Sequence, residues 1–137
     1  MLGRTHIAIG ILTALLLIPF VSVPSRILFV ALVAFGALLP DVDHENSKIN
    51  KFIPVTRWIP KLFKHRGFFH SIFPAIMLYG AFWYFNEQFI GLSLTLGYLS
   101  HLVSDSFTRM GVNFLHPIST WHIRGPLETG TLAETLI

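Results

Sequence analysis

The 137-residue sequence contains no cysteine, which excludes disulfide bonds and thiolate metal ligands. Charged side chains are also scarce: they make up 12% of the residues, whereas soluble domains average about 25%. The mean hydropathy is accordingly high, at +0.62. A soluble domain of this size needs a polar surface that this composition cannot supply. We therefore predict one integral membrane domain that covers residues 1–137.

The basic residues are concentrated in one segment between apolar runs. Six of them lie there: Lys48, Lys51, Arg57, Lys61, Lys64 and Arg66. A basic segment next to a membrane attracts anionic headgroups, so we expect membrane lipids as partners of this loop. No nucleic-acid-binding motif accompanies the charges, and nucleic acid is not an expected partner. The sequence leaves the oligomeric state open.

Four apolar runs predict an all-α bundle of transmembrane helices. We place the helices at about 5–23, 26–40, 69–86 and 89–106, with an interfacial loop at 41–66 and a tail at 109–137 that packs over one end of the bundle. A cleaved signal peptide is an alternative for the first run, given Arg4 ahead of it. The small and polar stripe of Gly3, His6, Gly10 and Thr13 instead favours a packed helix.

The distribution of charge predicts the orientation of the bundle. The loop at 41–66, the N-terminus and the tail all carry basic residues, whereas the two other connections hold only Arg26. The positive-inside rule then places both termini and the loop in the cytoplasm. We expect a multi-pass protein of the inner membrane.

The second apolar run stops at Pro40 and is followed by Asp41, Val42, Asp43 and His44. A carboxylate at the end of an apolar helix is costly to desolvate unless a cation or hydrogen bonds compensate it. Carboxylate and imidazole without cysteine form a ligand set for Zn²⁺, Mn²⁺ or Fe²⁺. Pro and Asp are also common turn residues, so a simple helix-ending turn is the alternative.

The fourth run carries a polar stripe. Its members recur at intervals of three and four, which places them on one helix face: Ser93, Gly97, Ser100, His101, Ser104, Asp105 and Thr108. In lipid such a face must point inward, towards other helices or a site. His101 and Asp105, four residues apart, can reach one ion.

The predicted topology brings scattered residues to one place. His6 begins the first helix, Asp41 ends the second, His70 begins the third, and His101 with Asp105 ends the fourth. All five fall at the cytoplasmic end of an up-down-up-down bundle. We predict one or two divalent transition-metal ions there, with Zn²⁺ as the first choice and Mn²⁺ or Fe²⁺ as alternatives. Of the other histidines, His44 and His65 have simpler interpretations as turn and headgroup contacts, and His116 and His122 as surface residues.

These motifs resemble the YdjM-like (LexA-regulated) family of inner-membrane proteins, which are described as membrane-bound metal-dependent hydrolases. The resemblance covers nearly the whole chain. It rests on Thr5-His6 with Gly10, Leu38 to His44, His65-Arg66-Gly67 with His70-Ser71, Gly97 to His101 with Asp105 and Thr108, and Gly111-Val112 with Pro117. Phe69, where the family often has Thr, and His116, where it usually has an apolar residue, depart from the pattern.

The resemblance implies a multi-pass protein with a His/Asp metal site. The matching positions are His6, Asp41, Asp43, His65, His70, His101 and Asp105. We expect a metal-dependent hydrolase that acts on a lipid or headgroup phosphoester at the cytoplasmic face through a metal-activated water. We count His65 among the metal ligands. We assign catalytic roles to Asp43 and Arg66, and the role of Arg66 is to bind a phosphate bidentately. A non-catalytic metal-binding protein or a small ion transporter is the alternative.

Overall fold

The computed structural model describes residues 2–43, 51–58 and 67–130. Within these ranges the chain forms four α helices, which are α1 (Gly3–Leu17), α2 (Arg26–Gly36), α3 (Ile72–Tyr84) and α4 (Gln88–Ser106). Short 3-10 turns occupy Ile18–Phe20, Leu39–Asp43, Pro54–Trp58 and Phe68–His70. Two isolated bridges are the only β pairing in the described ranges. The all-α prediction is confirmed.

The first two helices are shorter than predicted because prolines end them. α1 ends at Leu17 and continues as a 3-10 turn, since Pro19 has no N–H with which to extend the α-helical ladder. α2 begins behind Ser25, whose side chain accepts a hydrogen bond from the N–H of Leu28 at 3.3 Å. It ends at Gly36, ahead of Pro40, so the predicted boundaries at 23 and 40 were too late.

The third helix also differs from its prediction, whereas the fourth agrees with it closely. Residues 68–70 form a separate 3-10 turn, so α3 begins at Ile72 and not at 69. The chain reverses after α3 at Asn86, which adopts a left-handed conformation with φ of 59°. α4 begins at Gln88 and ends at Ser106, within one residue of the predicted bounds.

α4 lies at the centre of the bundle and packs against α1, α2 and α3, while α1 also packs against α2. The approach of α2 to α4 is a backbone contact. A Cβ atom at Gly97 would lie 2.0 Å from the carbonyl oxygen of Val33, and one at Gly36 would lie 2.3 Å from that of Leu94. Small residues at such a contact allow close helix packing in a membrane, where no hydrophobic force draws helices together.

Gly97→Ala is therefore expected to destabilise the bundle, because the added methyl group would force α2 and α4 apart. Overpacking of this kind typically costs about 1–3 kcal/mol, and more where backbone atoms must move. Gly80→Ala is the matched control, since a Cβ there meets nothing within 4 Å. Thermal unfolding in detergent should show a lower midpoint for Gly97→Ala alone. Equal midpoints for the two variants would contradict this packing.

The polar stripe of α4 is buried inside the bundle, whereas many large apolar side chains are exposed on its outside. Ser93, His101 and Asp105 of α4 are buried, whereas Leu16 of α1 and Ile76 of α3 are 63% and 60% exposed. This is the pattern expected of helices that face lipid, and it confirms the inward orientation predicted for the stripe. Among the described residues, Gly3–Phe20 is the one helical stretch long and apolar enough to cross a membrane by itself, and α2 and α3 are apolar but shorter.

The segment that follows α4 folds back over one end of the bundle. Val112 and Ile123 form an antiparallel bridge, and the N–H of Ile72 donates to the carbonyl of Phe114 at 2.9 Å. Val112 is buried against residues of α3 and α4 that include Ala75 and Leu102. This segment thus ties the start of α3 to the end of α4, as predicted for the tail up to residue 130. Residues 131–137 lie outside the described part.

Candidate metal centre

Five of the predicted metal ligands meet at one end of the four helices. His6 lies in the first turns of α1, and His101 and Asp105 lie in the last turns of α4. Asp41 belongs to the 3-10 turn after α2, and His70 to the 3-10 turn before α3. The predicted proximity of these side chains is confirmed, and their role as ligands stays a prediction. We refer to the five residues as the His/Asp cluster.

The spacing within the cluster suits ligands that share an ion. Nε2 of His6 is 3.4 Å from Oδ1 of Asp105, and Nε2 of His101 is 3.7 Å from Oδ2 of the same carboxylate. Oδ1 of Asp41 is 3.8 Å from Nε2 of His101 and 3.9 Å from Nε2 of His70. These separations exceed the usual N–H···O hydrogen bond of about 2.7–3.2 Å. Ligand atoms placed tetrahedrally about 2.0–2.2 Å from an ion are about 3.3–3.6 Å apart.

Hydrogen bonds fix which ring nitrogen of two histidines faces the cluster. Nδ1 of His101 lies 2.7 Å from the carbonyl oxygen of Ala37, which can only accept, so this nitrogen donates. The hydroxyl of Ser104 donates to the carbonyl of His101 at 2.8 Å, and its oxygen accepts from Nδ1 of His6 at 3.0 Å. In the neutral rings Nε2 of both histidines therefore carries a lone pair that points to the cluster. Both Nε2 atoms are buried without a hydrogen bond from a described residue.

The carbonyl of Ala37 is free for His101 because of the way α2 ends. The last carbonyls of a helix have no partner within the helix. The N–H of Asp41, which would bond to Ala37 in a continuing α-helix, instead donates to the carbonyl of Leu38 at 3.2 Å. The Pro40 turn thus performs two tasks: it places Asp41 at the cluster and leaves a backbone acceptor that orients His101.

The cluster is closed on most sides and opens at Asp41. The side chains of His6, His70 and His101 are 0% exposed and that of Asp105 is 1% exposed, whereas that of Asp41 is 19% exposed. The rings of His6 and His101 stack with their centroids 3.6 Å apart. Of the five residues, Asp41 is therefore the one whose side chain solvent reaches.

The geometry limits how ions could share the ligands. Two sets of three donors lie within 4.8 Å, His6 with Asp41 and His101, and His70 with His101 and Asp105. His101 belongs to both sets, yet it offers only Nε2 because Nδ1 is bonded to Ala37. It can serve one ion. A second ion would have to be held by the remaining donors, and Asp105 directs one oxygen to His6 and the other to His70 and His101.

The predicted ligand His65 and the predicted catalytic residue Arg66 lie outside the described residues, as does the neighbouring His44. The backbone of Asp43 belongs to the 3-10 turn that holds Asp41, and its side chain lies outside the description. Their proposed roles stay predictions. His122 is exposed and its ring contacts the carbonyl of Thr120 at 2.7 Å, away from the cluster, in agreement with its interpretation as a surface residue.

A family model described as YdjM inner membrane protein matches residues 1–136. The chain belongs to the YdjM family. The uncharacterized protein YvsG of Bacillus subtilis (strain 168) is 36% identical over 141 residues, which cover all of this chain and 87% of YvsG. Inner membrane protein YdjM of Escherichia coli (strain K12) and its namesake in Shigella flexneri are each 34% identical over 113 residues.

The alignments with those two YdjM proteins cover 77% of this chain and 53% of each relative, so the match spans about half of their length. No solved structure matches the chain significantly. Membership of the YdjM family confirms the resemblance found in the sequence and supports a membrane location. The names of these relatives state no reaction for the YdjM family.

Sequence reasoning missed the groups that orient the histidines of the cluster. Ser104 belonged to the predicted stripe but had no assigned role, and the backbone carbonyl of Ala37 leaves no signal in a sequence. Tyr98 donates a hydrogen bond to the carbonyl of Phe69 and so holds the turn that carries His70. One cue was present: Ser104 precedes Asp105 and lies three residues after His101, on the ligand face of α4.

Ser104→Ala is expected to weaken metal binding about 10–100-fold, the usual effect of losing a group that orients a ligand. Without the hydroxyl, Nδ1 of His6 loses its acceptor and its ring is free to take the wrong tautomer. Ser106→Ala is the control, because this exposed hydroxyl donates only to the carbonyl of Val103 in its own helix. Competition with a chromophoric chelator measures the affinities. Equal affinity in the two variants would refute an orienting role.

Proposed function

We propose that this YdjM-family chain is a membrane-bound, metal-dependent hydrolase that cleaves a phosphoester of a membrane lipid or its headgroup at the cytoplasmic face. One observation carries the proposal. Three buried imidazoles and two carboxylates converge at the ends of the helices, and the Nε2 atoms of His6 and His101 face the cluster without a hydrogen bond from a described residue. Imidazole with carboxylate suits Zn²⁺ first, with Mn²⁺ and Fe²⁺ as alternatives.

The buried and the exposed residues of the cluster would have different roles. His6, His70, His101 and Asp105, closed in the bundle, would hold the ion, and Asp41 would complete the ligand set on the open side. When bound, the ion would lower the pKa of a water molecule towards 7 and supply a nucleophile at the membrane surface. Arg66 is proposed to bind the phosphate of the substrate. Asp43 is proposed as a second acidic group beside Asp41.

We also propose four membrane spans with both termini in the cytoplasm. The exposed apolar faces of α1 and α3 support lipid contact. α2 has 11 residues, which at about 1.5 Å each extend roughly 16 Å, so it would need the flanking turns or a thinned bilayer to span. The placement of the basic residues supports a cytoplasmic location for the cluster.

Single cysteines test this topology cleanly because the natural chain has none. A membrane-impermeant thiol reagent added from outside should label cysteine at Ser25 or Gln88 and should not label cysteine at Lys51. All three positions are exposed, so access to the reagent differs only by the side of the membrane. Labelling of the Lys51 position from outside would exclude the proposed orientation.

A non-catalytic metal-binding protein or small ion transporter is the second candidate. The almost complete burial of four cluster residues favours it, because a closed site can retain an ion for structure alone. The position of the cluster argues against transport, since transport sites lie near the bilayer midplane and this cluster lies at the helix ends. The hydrolase is the better account of a site that opens at Asp41.

A screen of phospholipids and polyprenyl phosphates with the metal-loaded protein in detergent tests the proposal. Asp41→Asn, purified in the same way, serves as the blank, so that hydrolysis by contaminating phosphatases can be subtracted. At least one lipid should release phosphate or headgroup faster with the wild type. If no substrate separates wild type from blank while metal stays bound, the hydrolase proposal is rejected in favour of the non-catalytic candidate.

A further inference from the structure

An apolar groove of about 630 Å³ lies between the end of α2, the segment 51–58, and helices α3 and α4. Its rim is open: Met77 and Phe35 are 64% and 42% exposed. Its floor is buried, with Val42 7% and Tyr98 3% exposed. The volume falls within the range of about 300–1,000 Å³ that is typical of small-molecule sites.

The lining of the groove offers hydrocarbon and almost nothing else. Two hydroxyl groups occur in it, and both already donate to backbone carbonyls. Thr56 donates to Ile53 at 2.6 Å, and Tyr98 donates to Phe69. A polar occupant would lose its hydrogen bonds to water without replacement, which disfavours a sugar, a nucleotide or a peptide backbone. A hydrocarbon chain would lose none.

The groove is built on elements that also carry residues of the His/Asp cluster. Leu39 and Val42 of its wall lie in the same 3-10 turn as Asp41. Phe69 of its wall immediately precedes His70 in the chain. Tyr98 lies one turn before His101 on α4. Three wall elements therefore each carry a cluster residue, so the groove and the cluster are held by the same parts of the fold.

We propose that this groove binds the hydrocarbon chain of a single membrane lipid and presents its phosphorylated head to the His/Asp cluster. The inference rests on the proposed function for the role of the head, whereas binding of the chain stands on the groove alone. Of the phosphoesters proposed as substrates, this inference selects lipids whose apolar tail binds in the groove. A water-soluble phosphoester would leave the groove unused and would be a poor substrate.

A photoreactive lipid tests the groove without requiring turnover. The probe is a long-chain alkyl phosphonate, which cannot be hydrolysed as a phosphoester, with a diazirine in the chain. After illumination of the wild-type protein in detergent, peptide mass spectrometry should locate adducts at Met77, Phe35 and Ile53. An unlabelled long-chain alkyl phosphonate should compete, and methylphosphonate should not.

Variants that fill the groove give the decisive comparison. Met77→Trp should lower labelling by more than about tenfold, because each buried methylene contributes a factor of about four to binding and an indole displaces several. Ile76→Trp is the matched control: Ile76 is the preceding residue of α3, is 60% exposed against 64% for Met77, and does not line the groove. Ile53→Trp, from the segment 51–58, repeats the test on a different wall.

The outcomes separate this inference from the proposed function. Adducts spread over the outer apolar faces, equal in Met77→Trp and Ile76→Trp, would overturn the chain-binding groove even if the protein hydrolyses a lipid. Crosslinks that join two copies of the protein through this face would overturn it as well, in favour of a protein occupant. Groove-specific adducts with no turnover of any lipid would support the groove and reject the hydrolase.

Discussion

Asp41→Asn is expected to abolish the proposed phosphoester hydrolysis, with a loss of at least about 10³ in rate, since the electrostatic contribution of a metal ion to such a reaction is worth several kcal/mol. The substitution preserves the shape of the side chain and removes its negative charge. Asp41 lies 3.8 Å from Nε2 of His101 and 3.9 Å from Nε2 of His70, so a neutral amide there would weaken the hold on a cation. Because the side chain is 19% exposed, water can solvate the amide and the bundle should stay folded.

The control for Asp41→Asn is Glu128→Gln, the same loss of charge at an exposed carboxylate that pairs with Arg109. Initial rates of headgroup or phosphate release should be unchanged in this control. The metal content of both variants should be measured beside the rates. An Asp41→Asn protein that retains its metal and releases product as fast as the wild type would reject the hydrolase proposal, because this variant is also the blank of the substrate screen.

His101→Ala is expected to produce the largest loss of metal and of stability together. His101 belongs to both donor sets, stacks on His6 and donates to the carbonyl of Ala37 across to α2. Its removal leaves a buried carbonyl without a donor and a cavity at the junction of α1, α2 and α4. Large-to-small changes in a core cost about 2–5 kcal/mol, and the loss of bound metal adds to this.

Elemental analysis and thermal unfolding of the purified proteins measure the two effects of His101→Ala. His122→Ala is the matched control because His122 is exposed and bonds only locally to Thr120. The control should keep the metal content and the unfolding midpoint of the wild type. Equal metal content in His101→Ala and His122→Ala would place any bound ion outside the cluster.

The sequence was sufficient to predict the helices and the convergence of the cluster. The apolar runs and the stripe of α4 depend on local periodicity, and the meeting of His6 with Asp105 follows from antiparallel helices of similar length. The helix ends were predicted less well. The run that reaches Pro40 is uniformly apolar, so nothing before the proline indicated that the α-helical hydrogen bonds stop at Gly36.

The orienting contacts could not be predicted because they depend on how closely the helices approach. Ser93, Ser100 and Ser104 look alike in the stripe. Ser93 and Ser100 donate to carbonyls of their own helix, at 2.6 and 2.7 Å, whereas Ser104 also accepts from His6 of α1. Ser104 differs from the other two because it lies where α4 contacts the start of α1. The apolar groove is likewise formed by four separate segments and has no sequence motif.

X-ray absorption spectroscopy of the purified wild-type protein, with the metal content determined on the same sample, tests the central claim most directly. The account predicts one or two divalent transition-metal ions per chain, with imidazole nitrogens at about 2.0–2.1 Å and carboxylate oxygens at about 2.0–2.2 Å in the first shell. The imidazole signal should fall in His101→Ala. A protein that takes up no transition metal, or that binds one without imidazole ligands, would contradict the assignment of the His/Asp cluster as a metal centre.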